Sequence, residues 1–265
     1  MVGTNTDMNK EEIKQLFQPY NPNPSELKAA AVASKSLLKE LHNLDLDRRA
    51  LKPRENRLFH QFTYFLRQSF DNIYENYFDG IYMLGPDYFC EQTICFVNSH
   101  FTAALKRVEP KSLEDLELLI NWIKQHNATF TEYLNNVKEG VQRGMVQPIE
   151  VCKAAARTFQ KTYGKVGRKG PEGAMDMSFA QHLVTRDMYK NLSPDVNQKW
   201  KNKYDKDYVD MVKTAVIDYF GKPLHKLITY LKNDHVDYCV PSKISSGLAK
   251  LPLMSVYKNG EEIKK

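Results

Sequence analysis

Residues 112–152 read SLEDLELLINWIKQHNATFTEYLNNVKEGVQRGMVQPIEVC. Leu113, Leu116, Leu119, Ile120, Ile123, Phe130, Leu134, Val137 and Val141 recur at threes and fours, the period of a helix that buries one face. Ser112, with Asp115 three residues on, has the spacing at which a hydroxyl and a carboxylate cap the first turn reciprocally. Gly140 and Gly144 close the stretch, and Pro148 starts a second helix through Ile149, Val151, Cys152 and Ala155. A long helix followed at once by another predicts an all-α fold, a multi-helix array built from long amphipathic helices.

The flanking sequence keeps that period. Upstream, Asn21-Pro-Asn-Pro is a breaker. Ser25 is the expected N-cap of a helix carrying Leu27, Ala30, Ala31, Leu37, Leu38, Leu41 and Leu44. Pro53 suits the first turn of a further helix, whose Leu58, Phe62, Phe65, Leu66, Phe70 and Ile73 read as a core face. Gly80 and Gly85-Pro86 bracket the short run Ile81-Tyr-Met-Leu, and a helix is expected from about Tyr88 to Lys106. Downstream, Lys161–Gly173 (KTYGKVGRKGPEG) holds four cations among four glycines. It reads as a solvated loop or, more sharply, as an anion cradle, although its glycines match no phosphate-loop spacing. Helices follow near Phe179–Tyr189, after Ser193-Pro194, and from about Tyr204 to Lys232, where Gly221 and Pro223 predict a kink or a split. Strand patterning is scarce, and at most a small β element is expected, near Leu251–Lys258. Residues 1–24 read as an N-terminal extension and 25–265 as one helical domain.

Composition narrows the function classes. The 265 residues carry 38 Lys and Arg against 32 Asp and Glu, a net charge of +6. The surplus is spread along the chain rather than gathered in one stripe, and the aromatics fall at core spacing. Nucleic acid is therefore not an expected partner. No window is long and apolar enough for a membrane span. Met1–Lys10 lacks the apolar core of a secretory signal, so the chain is either cytosolic or has lost a targeting segment. Asn127-Ala-Thr and Asn191-Leu-Ser are N-glycosylation acceptors if the chain is secreted. They tilt the expected home toward an extracellular or lumenal one.

The chemistry-bearing residues form no recognisable active site. Histidines 42, 60, 100, 126, 182, 225 and 235 include no His-Glu-x-x-His and no pair four apart, so no helix presents adjacent imidazoles to a metal. Cys90 and Cys95 have four residues between them and no second close pair, which argues against a zinc finger. For Cys90, Cys95, Cys152 and Cys239 both disulfides and buried thiols remain open. Cys152 lies one turn into the helix from Pro148, where a thiol pKa can fall, yet its alanine neighbours read as core. Asp205, Asp207 and Asp210 cluster at a helix start, where the dipole stabilises them without catalysis.

Leu37-Leu-Lys-Glu-Leu-His-Asn-Leu-Asp, followed by a helix after Leu51-Lys-Pro, sets an order of segments that continues in Ser112–Ala155. There Gly140, Gly144 and Pro148 form a Gly-x-x-x-Gly-x-x-x-Pro element. The tail LITYLKNDHVDYCVPSKISSGLAKLP precedes a segment bearing Tyr257. From about Leu37 onward this order resembles the family catalogued as domain of unknown function 885. The resemblance implies a largely helical relative of gluzincin zinc metallopeptidases. In that family the zinc motif, His-Glu-x-x-Pro-Gly-His, lies in the later half, and this sequence reaches Lys264-Lys265 without it. It therefore implies no catalytic, cofactor-binding or metal residue in the chain, with zinc expected only in a half that follows. The expected partners are that C-terminal remainder of the same precursor and a peptide substrate.

Overall fold

The computed structural model describes residues 9–47, 49–68, 83–84, 89–90, 93–245, 256–258 and 261–263. The fold is all-α. Its helices are α1 (Lys10–Leu16), α2 (Pro24–Asn43), α3 (Pro53–Gln68), α4 (Thr93–Leu105), α5 (Leu113–Gln142), α6 (Ile149–Thr162), α7 (Gly164–Lys169), α8 (Ser178–Val184), α9 (Pro194–Tyr204), α10 (Tyr208–Ala215), α11 (Lys222–Asn233) and α12 (Ser242–Ser245). Two short antiparallel ladders accompany them. β1 (Met83–Leu84) pairs with β2 (Phe89–Cys90), and β3 (Val256–Lys258) with β4 (Glu261–Ile263), the latter where a C-terminal β element was expected. Because Phe89 and Cys90 lie in β2, α4 opens at Thr93 rather than near Tyr88. Among the described residues no helix is long and apolar enough to cross a membrane.

The central element is α5. Ser112 and Asp115 cap it reciprocally, and Leu116, Leu119, Ile123, Phe130, Tyr133 and Val137 are fully buried along it. Phe130, Phe101 of α4, Phe179 of α8 and Phe220 close around His126, with ring centroids 4.5 to 5.2 Å apart in the pairs Phe101–His126, Phe179–Phe220 and His126–Phe220. Each such ring removed from water is worth about 1.5–3 kcal/mol. Residues before 25 join this body. Phe17 stacks on Phe101 at 5.8 Å and meets Trp122 edge-on at 4.8 Å. Thr129 Oγ1 donates to the Tyr20 carbonyl at 2.6 Å, and Asn136 Nδ2 to that of Pro22 at 2.6 Å.

Several local expectations are corrected. The N-cap of α2 is Asn23, not Ser25: Pro24 takes the first helical position, where a missing N–H costs nothing, and Asn23 Oδ1 accepts from the Ser25 N–H at 2.9 Å. The expected core face of α3 is largely uncovered. Leu66 and Phe59 are buried, but Leu58, Phe62 and Phe65 are 64, 40 and 49% exposed. A helix packed mainly on one neighbour, α2, buries a narrower stripe than its sequence offers. Phe70 and Ile73 lie outside the described residues.

The basic glycine segment is not a solvated loop. It forms α7 and a 3₁₀ turn, Gly170–Asp176, packed against a π-helical turn at Val216–Gly221. A Cβ on Gly173 would lie 2.2 Å from the Lys165 carbonyl oxygen, and one on Gly221 the same distance from that of Pro171. The glycines thus bring backbones together. That π turn lies between α10 and α11, just ahead of Pro223, so helical backbone runs on through the expected split, and the irregular turn is a usual cause of a bend there. Gly140 lies inside α5, Gly144 follows it at φ +71°, and Pro148 is the N-cap of α6.

A candidate cysteine–histidine centre

The start of α6 and the segment after α11 are clamped by backbone hydrogen bonds. The Ile149 N–H donates to the Val240 carbonyl at 2.9 Å, and the Val240 N–H to that of Gln147 at 3.0 Å. Pro148, with its proline φ and no N–H of its own, sets the entry to α6 between these two bonds. One turn into α6, Cys152 is thereby carried to Cys239, which precedes Val240, and the two form a disulfide with Cα atoms 6.6 Å apart. The ends of α12 and α6 are tied nearby by the Ser242 hydroxyl, which donates to the Glu150 carboxylate. That bond holds the Glu150 carboxyl below its usual range.

His235 opens the 3₁₀ turn His235–Tyr238 that joins α11 to Cys239. Its side chain is 1% exposed, and among the described residues neither ring nitrogen has a hydrogen-bond partner. A ring nitrogen of His235 and the two sulfurs lie within 4.8 Å of one another, all three residues being buried. Burial without a compensating partner pushes the imidazole pKa below its usual range. The Tyr230 ring lies 5.9 Å from it. With the disulfide intact neither sulfur carries a proton, so the approaches of Cys239 Sγ to the His235 carbonyl (3.2 Å) and of Cys152 Sγ to that of Gln147 (3.5 Å) are contacts rather than hydrogen bonds.

Beyond Tyr230 opens a groove of about 460 Å³ lined by Lys138, Lys222, His225, Lys226, Tyr230 and Asp234, among others. Lys138 lies 5.2 Å above the Tyr230 ring, and Lys222 pairs with Asp218 at 2.6 Å. The structure unites His235 with Cys152 and Cys239 and leaves His182 and His225 out of the group. Cys95 is itself disulfide-bonded. Asn127 is exposed on α5, where the Thr129 of its sequon is buried and bonded to Tyr20; Asn191 is exposed in the turn before α9. The three aspartates hold separate structural posts. Asp205 ends α9 at φ 48°, Asp207 caps α10 by accepting from the Val209 N–H at 2.8 Å, and Asp210 pairs with Lys213 at 3.0 Å.

Sequence reasoning missed the centre because it sought paired histidines and closely spaced cysteines. Cys152 and Cys239 are 87 residues apart, a separation no motif encodes. The available signal was His235 and Cys239, four apart in DHVDYC, near enough to share one turn. Comparison with protein-family models, curated proteins and solved structures finds no match for this chain.

Proposed function

We propose that the chain is the N-terminal helical half of a metallopeptidase-like hydrolase. In this reading it walls the substrate cleft, and a segment after Lys265 supplies the zinc motif, the general base and the oxyanion donors. The observation that carries the reading is α3. Its stripe Leu58, Phe62 and Phe65 sits at one-turn spacing on the surface, and an open groove of about 910 Å³ runs along its first turns beside Arg54, Arg57 and Leu58. Stripes of large apolar side chains on otherwise well-packed bodies mark surfaces that another body covers. The His-Glu-bearing remainder is the occupant this reading assigns to it. The segment order from Leu37 onward, resembling domain of unknown function 885, lends the reaction class.

A non-catalytic binding module is the competing reading, since the same stripe would serve a separate partner. Native and then denaturing mass spectrometry of source material separates the two. A chain continuing past Lys265 into a His-Glu motif, with zinc-dependent peptide hydrolysis, is the expected result. A lone, complete 30.8 kDa species would end the peptidase reading and leave the module.

A further inference from the structure

We propose that Cys152, Cys239 and His235 form a redox-gated site for a thiophilic divalent cation of the zinc class, closed while the disulfide stands and opened by its reduction. The inference does not depend on the peptidase reading, which needs no metal in this chain.

Three observations carry it. The donor set is two sulfurs and one imidazole nitrogen, already within 4.8 Å of one another and buried. Zinc holds thiolate at about 2.3 Å and imidazole at about 2.0 Å, so once the disulfide is reduced an ion would part the two sulfurs and draw the imidazole nitrogen in toward them. The two cysteines are flanked by the Ile149–Val240 and Val240–Gln147 backbone bonds, a tie between the same two segments that is separate from the disulfide. Reduction therefore leaves the ligands side by side.

The third observation is the imidazole itself. A buried polar group without a partner is costly, and His235 has two such atoms. A structural core histidine satisfies at least one nitrogen, as His126 does by donating from Nδ1 to the Trp122 carbonyl at 2.7 Å. A buried imidazole without a hydrogen-bond partner, set beside two sulfurs, is a donor placed for a soft-to-borderline cation. The same Cys₂His set occurs in zinc sites that keep a fourth position for water.

The redox step balances. A dithiol reductant attacks the Cys152–Cys239 bond and is oxidised to its own disulfide. Its two electrons and two protons leave Cys152 and Cys239 as thiols. Binding one divalent cation then releases both protons and forms two metal–thiolate bonds and one metal–imidazole bond.

The test uses the full chain, oxidised or reduced by a dithiol that is then removed anaerobically, titrated with Co²⁺ as a spectroscopic stand-in for Zn²⁺. The reduced chain should take up one equivalent, with thiolate-to-cobalt charge-transfer absorption and intense tetrahedral ligand-field bands that stoichiometric Zn²⁺ abolishes. The oxidised chain should show neither. His235→Gln, which keeps the disulfide, should weaken binding by on the order of 100-fold or more, above what loss of an outer-shell partner costs. Circular dichroism follows the fold throughout. A reduced chain that loses helicity and regains it on metal addition supports the site. Failure to bind while folded, unfolding that metal does not reverse, equal binding by the oxidised chain, or unweakened binding by His235→Gln would each overturn it.

Discussion

His126 lies on the buried face of α5, its ring 4.5 Å from that of Phe101 and 5.2 Å from that of Phe220. Desolvation among these rings outweighs the Trp122 and Ile123 carbonyls that favour the charged form, and takes its pKa from 6.5 to about 4. The unfolded chain therefore binds a proton that the folded chain refuses between these values. Stability is fully present above about pH 6.5 and declines as pH falls through about 4, by about 3 kcal/mol in all. Urea midpoints from pH 7.5 down to 4.5 should show this slope in the wild type and a flatter one in His126→Phe. Equal slopes would mean that other groups carry the acid sensitivity. The glycines make a second prediction at this scale. Gly173→Ala and Gly221→Ala each drive a Cβ to 2.2 Å from a backbone oxygen, which no side-chain rotation relieves. Each should cost about 3 kcal/mol or more in urea unfolding. Gly144→Ala meets nothing within 4 Å but must hold φ +71°, so its cost should be nearer 1 kcal/mol.

At the scale of elements, α5 was legible in the sequence because period, cap and stop agreed. Ser112 and Asp115 form the reciprocal cap their spacing announces, and Ser112→Ala should lower stability by about 1 kcal/mol on a thermal melt. Helix α3 was legible in its start at Pro53 but not in exposure. Periodicity says which side chains share a face; it cannot say whether a neighbour arrives to cover it. Phe59 and Leu58 are adjacent in sequence, yet one is 9% and the other 64% exposed. Phe59→Ala should thus cost about 3 kcal/mol, while Leu58→Glu should stay within about 0.5 kcal/mol in the isolated chain. A large loss for Leu58→Glu would show that its stripe is already covered. The glycine-rich segment was misread for a related reason. Glycines signal both loops and close backbone approach, and only the facing Lys165 and Pro171 carbonyls distinguish the two. The cysteine–histidine centre was the least legible part, since backbone pairing of residues 147–149 with Val240 creates it and no local pattern records that pairing.

Across the whole molecule, the Cys152–Cys239 bond closes an 87-residue separation that includes α7 through α11, and so most of the C-terminal half of the core. Loop-closure entropy for such a span gives about 4–5 kcal/mol of stabilisation, acting chiefly on the unfolded chain. The native contacts around it need little from the bond, because the Pro148–Val240 backbone bridge and the packing of α11 on α6 hold the same region. Reduction in the presence of a chelator should therefore leave the helical spectrum at neutral pH intact. It should lower the urea midpoint and raise the m-value, since the released unfolded chain exposes more surface. Cys152→Ser combined with Cys239→Ser, reduced in the same way so that the Cys95 disulfide is open in both, should behave as the chelated, reduced protein does. Zinc should restore much of the lost stability to the reduced wild type and none to the double variant, because only the former retains two thiolates to bridge with His235. Were zinc to stabilise both equally, its effect would lie elsewhere on the surface, and the buried imidazole would stand as an unpaid cost of the fold.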